Sequence, residues 1–214
     1  MELITNLIDF ILHIDKHLVE ITQNYQTWTY LILFLIIFAE TGLVVTPFLP
    51  GDSILFAIGA LIVKPETNLS LMAMLFLLIF AAILGDFVNY EIGKHFGRRV
   101  FKSDSKIFKP SYLEKTQKFY EKYGLKTIIY ARFVPIVRTF APFVAGVANM
   151  SYRKFGQYNI IGGFLWVTLF LIGGYLFGQI PVVKNNFSIV VLGIILISII
   201  PAIIEVVKNK KQTT

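Results

Sequence analysis

Apolar positions run in blocks too long for the core of a soluble domain. Residues 71–93, LMAMLFLLIFAAILGDFVNYEIG, read as one membrane-spanning helix, and residues 158–180 and 187–207 read as two more. Each meets the ~20 residues that the hydrocarbon layer demands. Residues 30–63 and 127–150 are equally apolar but broken. In the first, Glu40, Gly42, Pro47, Pro50, Gly51 and Asp52 leave two clean arms, 30–41 and 53–63. At 1.5 Å per residue such arms reach only about 16–18 Å, against a layer of ~30 Å. Two half-length arms joined by a broken tip predict a re-entrant hairpin. Irregular backbone at that depth is tolerated where protein buries it or a wet cavity lines it. In 127–150, apolar arms flank Arg132, Pro135, Arg138 and Pro142, so a second hairpin is expected.

The flanking segments are amphipathic. Leu3, Leu7, Ile11, Ile14, Leu18 and Ile21 share one helical face, so residues 1–25 are expected to form an interfacial helix. No basic stretch and small-residue site precede it, so no cleaved signal peptide is expected. Between the spans, Ser111 and Glu114 are spaced as a capping box after Pro110, and Gly124 is a natural stop. Leu113, Thr116, Phe119, Tyr120 and Tyr123 then share a face, which predicts a helix lying flat on the membrane.

Composition and charge sharpen this picture. The chain has 214 residues, 56% of them hydrophobic and only 15% charged, with no cysteine. That excludes disulfide frameworks, cysteine–zinc sites, iron–sulfur clusters and thiol catalysis. Segment 94–126 carries ten basic residues and three acidic ones, a surplus equal to the whole net charge of +7. Lying between apolar spans, it is expected to be a cytoplasmic loop rather than a nucleic-acid surface. If 127–150 enters and returns on one side, Arg153, Lys154 and the basic tail 208–214 stay cytoplasmic as well. Loop 64–70 is then external and the first hairpin enters from outside. The expected fold is an all-α integral membrane protein. It is an inverted repeat of two re-entrant helical hairpins, with three spanning helices and amphipathic interfacial helices.

Four ionisable residues occupy the hairpins: Glu40 and Asp52 in the first, Arg132 and Arg138 in the second. At roughly 2.5–3.5 kcal/mol each for a charge at a helix centre, they must face one another or a wet cavity. One reading is a salt-bridge network; for Asp52, a cap on the second arm is another. The other reading is a site. Arginine binds phosphate through a planar fork, and a carboxylate beside it can exchange a proton as partners change. Asp86 and Glu91, near the end of span 71–93, are second-rank candidates. His13 and His17 stand four apart but lack a third ligand, so no metal site is expected. No histidine lies in a hairpin, which speaks against a lipid phosphatase, and no enzymatic activity is expected.

These residues carry a resemblance. Glu40-Thr41-Gly42 with Pro47-Phe48-Leu49-Pro50-Gly51-Asp52 resembles the first signature of the DedA family, also called the SNARE-associated or VTT-domain family. Gly85-Asp86, Tyr90, Ile92-Gly93-Lys94 and Gly97 resemble its middle motif. Arg132-Phe133-Val134-Pro135-Ile136-Val137-Arg138, with Pro142 and Ala145-Gly146, resembles its second. The likeness covers about residues 30–180. It implies a multi-pass protein of the bacterial inner membrane that moves a phosphate-bearing lipid between leaflets. Undecaprenyl phosphate leads as the substrate and the proton gradient as the drive. It implies Arg132 and Arg138 as the phosphate site, Glu40 and Asp52 as proton-coupling residues, and no cofactor. A phospholipid flippase, a passive scramblase and a non-transporting envelope scaffold remain alternatives, and homo-oligomerisation is left open.

Overall fold

A computed structural model describes residues 14–43, 51–96 and 110–185, with isolated positions 190 and 193. Every regular element among them is helical: α1 (Ile14–Gly42), α2 (Gly51–Ile62), α3 (Leu71–Phe96), α4 (Pro110–Tyr123), α5 (Thr127–Ala131), α6 (Pro135–Val147), α7 (Tyr152–Gly178) and α8 (Pro181–Asn185). Short 3-10 turns at Pro65–Thr67 and Gly124–Lys126 lead into α3 and α5. Of these helices, α3 and α7 are long and apolar enough to cross a membrane, with 26 and 27 residues.

Local chemistry sets the ends. The Ser70 hydroxyl faces the Ala73 N–H at 3.4 Å, a cap on the first turn of α3. Pro135 forces Val134 into an extended conformation (φ −122°, ψ 104°), which separates α5 from α6. The tip between them, Arg132–Val134, is closed by tight turns from Arg132, Phe133 and Val134 N–H to the carbonyls three residues back. Asn149, at φ 52°, ends α6. Its N–H donates to the Gly146 carbonyl at 2.9 Å, and that of Met150 to Ala145 at 3.0 Å, a left-handed helix cap. Gly124, at φ 57°, stops α4 as its sequence predicts.

The chain divides into two compact units. One gathers residues 1–31, 50–74 and 169–214; the other gathers 32–49 and 75–168. In the first, α2 packs against the C-terminal part of α7 through a reciprocal pair of glycines. A Cβ on Gly59 would strike the Leu171 carbonyl, and one on Gly174 the Phe56 carbonyl. In the second, α6 packs against α3 by the same device: Gly146 faces the Tyr90 carbonyl and Gly93 the Phe143 carbonyl. In each case the glycine stands three residues after the carbonyl its own helix presents. Each unit thus joins a short apolar helix to a long one by the same close crossing. Around the second crossing, Tyr90, Ile128, Ala145 and Phe155 form a buried cluster, and the Tyr90 hydroxyl donates to the Met150 carbonyl.

Several expectations change. No break separates an N-terminal helix from the first apolar arm, because α1 runs unbroken from Ile14 to Gly42. The apolar face of α4 is spent on protein rather than lipid. Thr116 is fully buried, Phe119 and Tyr120 pack on Ala131, Val137 and Ala141, and the Tyr120 hydroxyl donates to the Ala141 carbonyl at 2.9 Å. That desolvated phenol is held well above its ordinary pKa. On the exposed face Glu114 pairs with Lys118 at 2.7 Å, which lowers the carboxyl's pKa and raises that of the ammonium. Residues 1–13, the tip 44–50 of the first apolar stretch, most of 187–207 and the tail 208–214 lie outside the described residues.

Candidate functional site

Five segments of the second unit deliver polar side chains to one buried place. Glu40 sits in the last turn of α1. Asp86 and Asn89, three apart, share a face of α3. Arg132 occupies the tip before α6 and Arg138 its first turn. Asn159 and Trp166, seven apart, share a face of α7.

Two ion pairs result. Arg138 donates through Nη2 to Glu40 Oε1, and Arg132 through Nη2 to Asp86 Oδ2. All four side chains are buried: Glu40 is 1% exposed, Asp86 3%, Arg132 2% and Arg138 8%. The same Arg132 Nη2 donates to Asn159 Oδ1 at 2.6 Å, and Asn159 Nδ2 donates to the Ile83 carbonyl at 3.0 Å. The fully buried Trp166 ring lies 5.1 Å from the Arg138 guanidinium carbon and 5.8 Å from that of Arg132. Its π-face attracts both cations.

Backbone chemistry holds this arrangement. Pro142 lies inside α6 and has no N–H to offer the turn before it. Asn89, fully buried, donates to the carbonyl of Thr139 at 2.9 Å and to that of Thr41 at 3.1 Å. One side chain on α3 thereby ties the end of α1 to α6, so Glu40 and Arg138 stand opposite each other. Small residues make room for Arg132: a Cβ on Gly162 would come within 3.0 Å of its Nε. Arg132 Nε and Nη1 are buried with no hydrogen-bond partner among the described residues. Between them they carry three N–H donors in a fixed plane, the geometry a phosphate accepts.

Of the residues expected from sequence, Glu40, Arg132 and Arg138 come together here, and Asp86 joins them. The expected competition of Glu40 and Asp52 for the arginines takes a different form: Arg132 is paired with Asp86. Asp86 lies well inside α3 rather than near a helix end. α3 continues to Phe96, ten residues further, about 15 Å along the axis. Asp52 belongs to the other unit, in the first turn of α2, where it borders a cavity of about 180 Å³ with Ser53, Phe56 and Phe170. Glu91 pairs with His95 at 3.3 Å. No metal-binding group of histidine and carboxylates occurs among the described residues. The sequence reading missed Asn89, Asn159 and Trp166. The asparagines carried a signal: an amide in an apolar span is costly unless hydrogen-bonded. Trp166 carried none, since indole is ordinary in such a helix.

Residues 49–176 match the VTT domain. The chain is 58% identical over 212 residues to Protein DedA of Escherichia coli strain K12, covering 99% of this chain and 97% of that one. It is 41% identical over 174 residues to the uncharacterized membrane protein Rv0364 of Mycobacterium tuberculosis, covering 81% and 76%. It is 35% identical over 159 residues to the inner membrane protein YqjA of Escherichia coli strain K12, covering 72% and 69%. No solved structure matches significantly.

Proposed function

This chain belongs to the VTT-domain, or DedA, family of membrane proteins, and from that premise we propose that it moves a phosphate-bearing lipid between the leaflets of a bacterial inner membrane. Undecaprenyl phosphate is the first substrate to test. The observation that carries the reading is a pair of buried arginines, each held by a carboxylate, one of which keeps three N–H donors unfilled. A monoanionic or dianionic phosphate competes with a carboxylate for the same fork. As phosphate binds Arg132 and Arg138, Asp86 and Glu40 lose their cations. A carboxylate so released in a buried place takes up a proton, because burial disfavours its charged form. Lipid and proton movement are thereby linked, and Glu40 and Asp86 are the coupling residues we propose; Asp52 is a third to be tested. Trp166 keeps the two guanidiniums on one platform, so phosphate meets both.

The proposed architecture is the inverted repeat, with hairpins 30–63 and 127–150 entering from opposite sides. The matching glycine crossings of α2 with α7 and α6 with α3 support it. A second reading, that the ion pairs only hold the helices together, is favoured by each arginine having a buried carboxylate partner. The experiment that tests the proposal uses purified protein in liposomes. It reads translocation of labelled undecaprenyl phosphate, phosphatidylethanolamine and phosphatidylglycerol, with and without an imposed proton gradient. Gradient-dependent movement of one phosphate lipid supports the reading. Movement of none, by protein shown to be folded, refutes it. Phosphate release would instead identify an enzyme, and equal movement of all lipids without a gradient a scramblase.

A further inference from the structure

A lysine- and tyrosine-lined cavity that includes neither Arg132 nor Arg138 lies at the turn between α4 and α5. Gly124 takes φ 57° at this turn, and Lys122, two residues before it, and Lys126, two after, line one cavity of about 560 Å³. Tyr123, Leu125, Tyr130 and Tyr158 complete the lining. Tyr123 and Tyr130 meet edge to face at 5.4 Å, and the Lys122 ammonium lies 5.0 Å from the Tyr123 ring centroid. Among the described residues neither Lys122 nor Lys126 is in an ion pair. The nearby carboxylate Glu114 is held by Lys118, which also draws on Glu121. The volume lies within the ~300–1,000 Å³ of small-molecule sites and far exceeds the ~30 Å³ share of one water.

The chemistry of this lining is that of a membrane interface. Tyrosines prefer the headgroup level, with the ring in apolar surroundings and the hydroxyl in water. Lysines there draw anionic headgroups. Tyr158 is anchored on the Tyr90–Phe155 cluster, so one wall is rigid, while Tyr130 is 44% exposed. We propose that this cavity holds the headgroup of an anionic phospholipid as a resident lipid. Lys122 and Lys126 pair with its phosphodiester, and the tyrosines border the glycerol. The site is separate from the transport site and does not depend on its function. A free phosphate would satisfy the lysines but leave the aromatic walls empty.

The test places the full-length protein in phosphatidylcholine nanodiscs with a graded share of phosphatidylglycerol. Native mass spectrometry then counts the phosphatidylglycerol retained per protein. Wild type should retain it selectively. Lys122→Gln and Lys126→Gln should each weaken retention about fivefold, and together roughly twenty-fivefold, at the usual strength of one lysine near a headgroup. Lys122→Arg should retain it. Lys118→Gln, which removes an exposed lysine of the same helix that lies outside the cavity, should have no effect. Unchanged retention in the double variant overturns the proposal. So does an equal loss in Lys118→Gln, which would mean unspecific charge attraction. Displacement by millimolar inorganic phosphate or glycerol phosphate overturns it too, because the ligand would then be a soluble anion. The readout is retained lipid, so a negative result leaves the transport reading standing.

Discussion

Removing Arg132 and Asp86 singly and together separates a transport site from a structural salt bridge. Arg132→Leu strands the Asp86 carboxylate, which is 3% exposed, and takes the donor from Asn159 Oδ1. Breaking one partner of a buried pair costs about 3–5 kcal/mol, because the remaining charge stays desolvated. The lost hydrogen bond to Asn159 adds about 1 kcal/mol. Asp86→Leu leaves Arg132 at 2% exposure and costs a similar amount. The double variant Asp86→Leu/Arg132→Leu leaves no stranded charge, so most of the stability should return. Its coupling energy should exceed about 3 kcal/mol, since the two single costs together come to about 7 kcal/mol or more and replacing a whole buried pair by apolar side chains is often neutral. The assay is reversible unfolding in mixed micelles by SDS titration for the four proteins, with lipid translocation measured on the same preparations. We expect stability to recover in the double variant and translocation to stay lost. Additive destabilisation would refute the argument that the two side chains neutralise each other. Recovery of stability and transport together would make the pair a structural clamp.

Further outcomes follow from particular contacts. Asn89→Leu removes donors from the buried carbonyls of Thr41 and Thr139; it should destabilise by about 1–3 kcal/mol and reduce transport, read by SDS titration and liposome assay. Gly93→Ala and Gly174→Ala each press a methyl group on a facing carbonyl, so each should cost about 1–3 kcal/mol, whereas Gly173→Ala, whose nearest neighbour would be a Phe56 ring atom at 3.8 Å, should be near neutral. Gly124→Ala meets no neighbour and strains only the backbone, so its cost should be about 1–2 kcal/mol. Cysteines placed singly at Lys154 and Lys126 should both label from the cytoplasmic side; labelling of the two from opposite sides would mean that 127–150 crosses and would remove the second hairpin from the proposal.

Much of this was legible before any coordinates. Period and length identified α3 and α7, because a long apolar run has few alternatives. Pro135 marked an interruption in 127–150 without fixing its place, and Gly124 marked the end of α4. The arginines and Glu40 announced themselves by cost, since a charge in an apolar run must be accounted for. Three features were not legible. The fusion of 14–42 into one helix was missed because the pattern changes there from amphipathic to apolar, although no proline or glycine interrupts 14–41. The apolar face of α4 reads alike whether lipid or α6 covers it. The choice of Asp86 over Asp52 as partner of Arg132 is a tertiary fact, set by which helices the small residues Gly93, Gly146, Gly162 and Gly163 let approach.

Movement of labelled undecaprenyl phosphate by purified Arg138→Ala, in liposomes under a proton gradient, tests the central claim most directly. Arg138 is one of the two cations proposed to hold the phosphate, and truncation removes the guanidinium that pairs with Glu40 while leaving the Glu40 carboxylate in place. The account predicts inserted, monodisperse protein whose transport has fallen at least about a hundredfold, the ~3 kcal/mol of a charged hydrogen-bonded contact. Transport at the wild-type rate by that variant would contradict it.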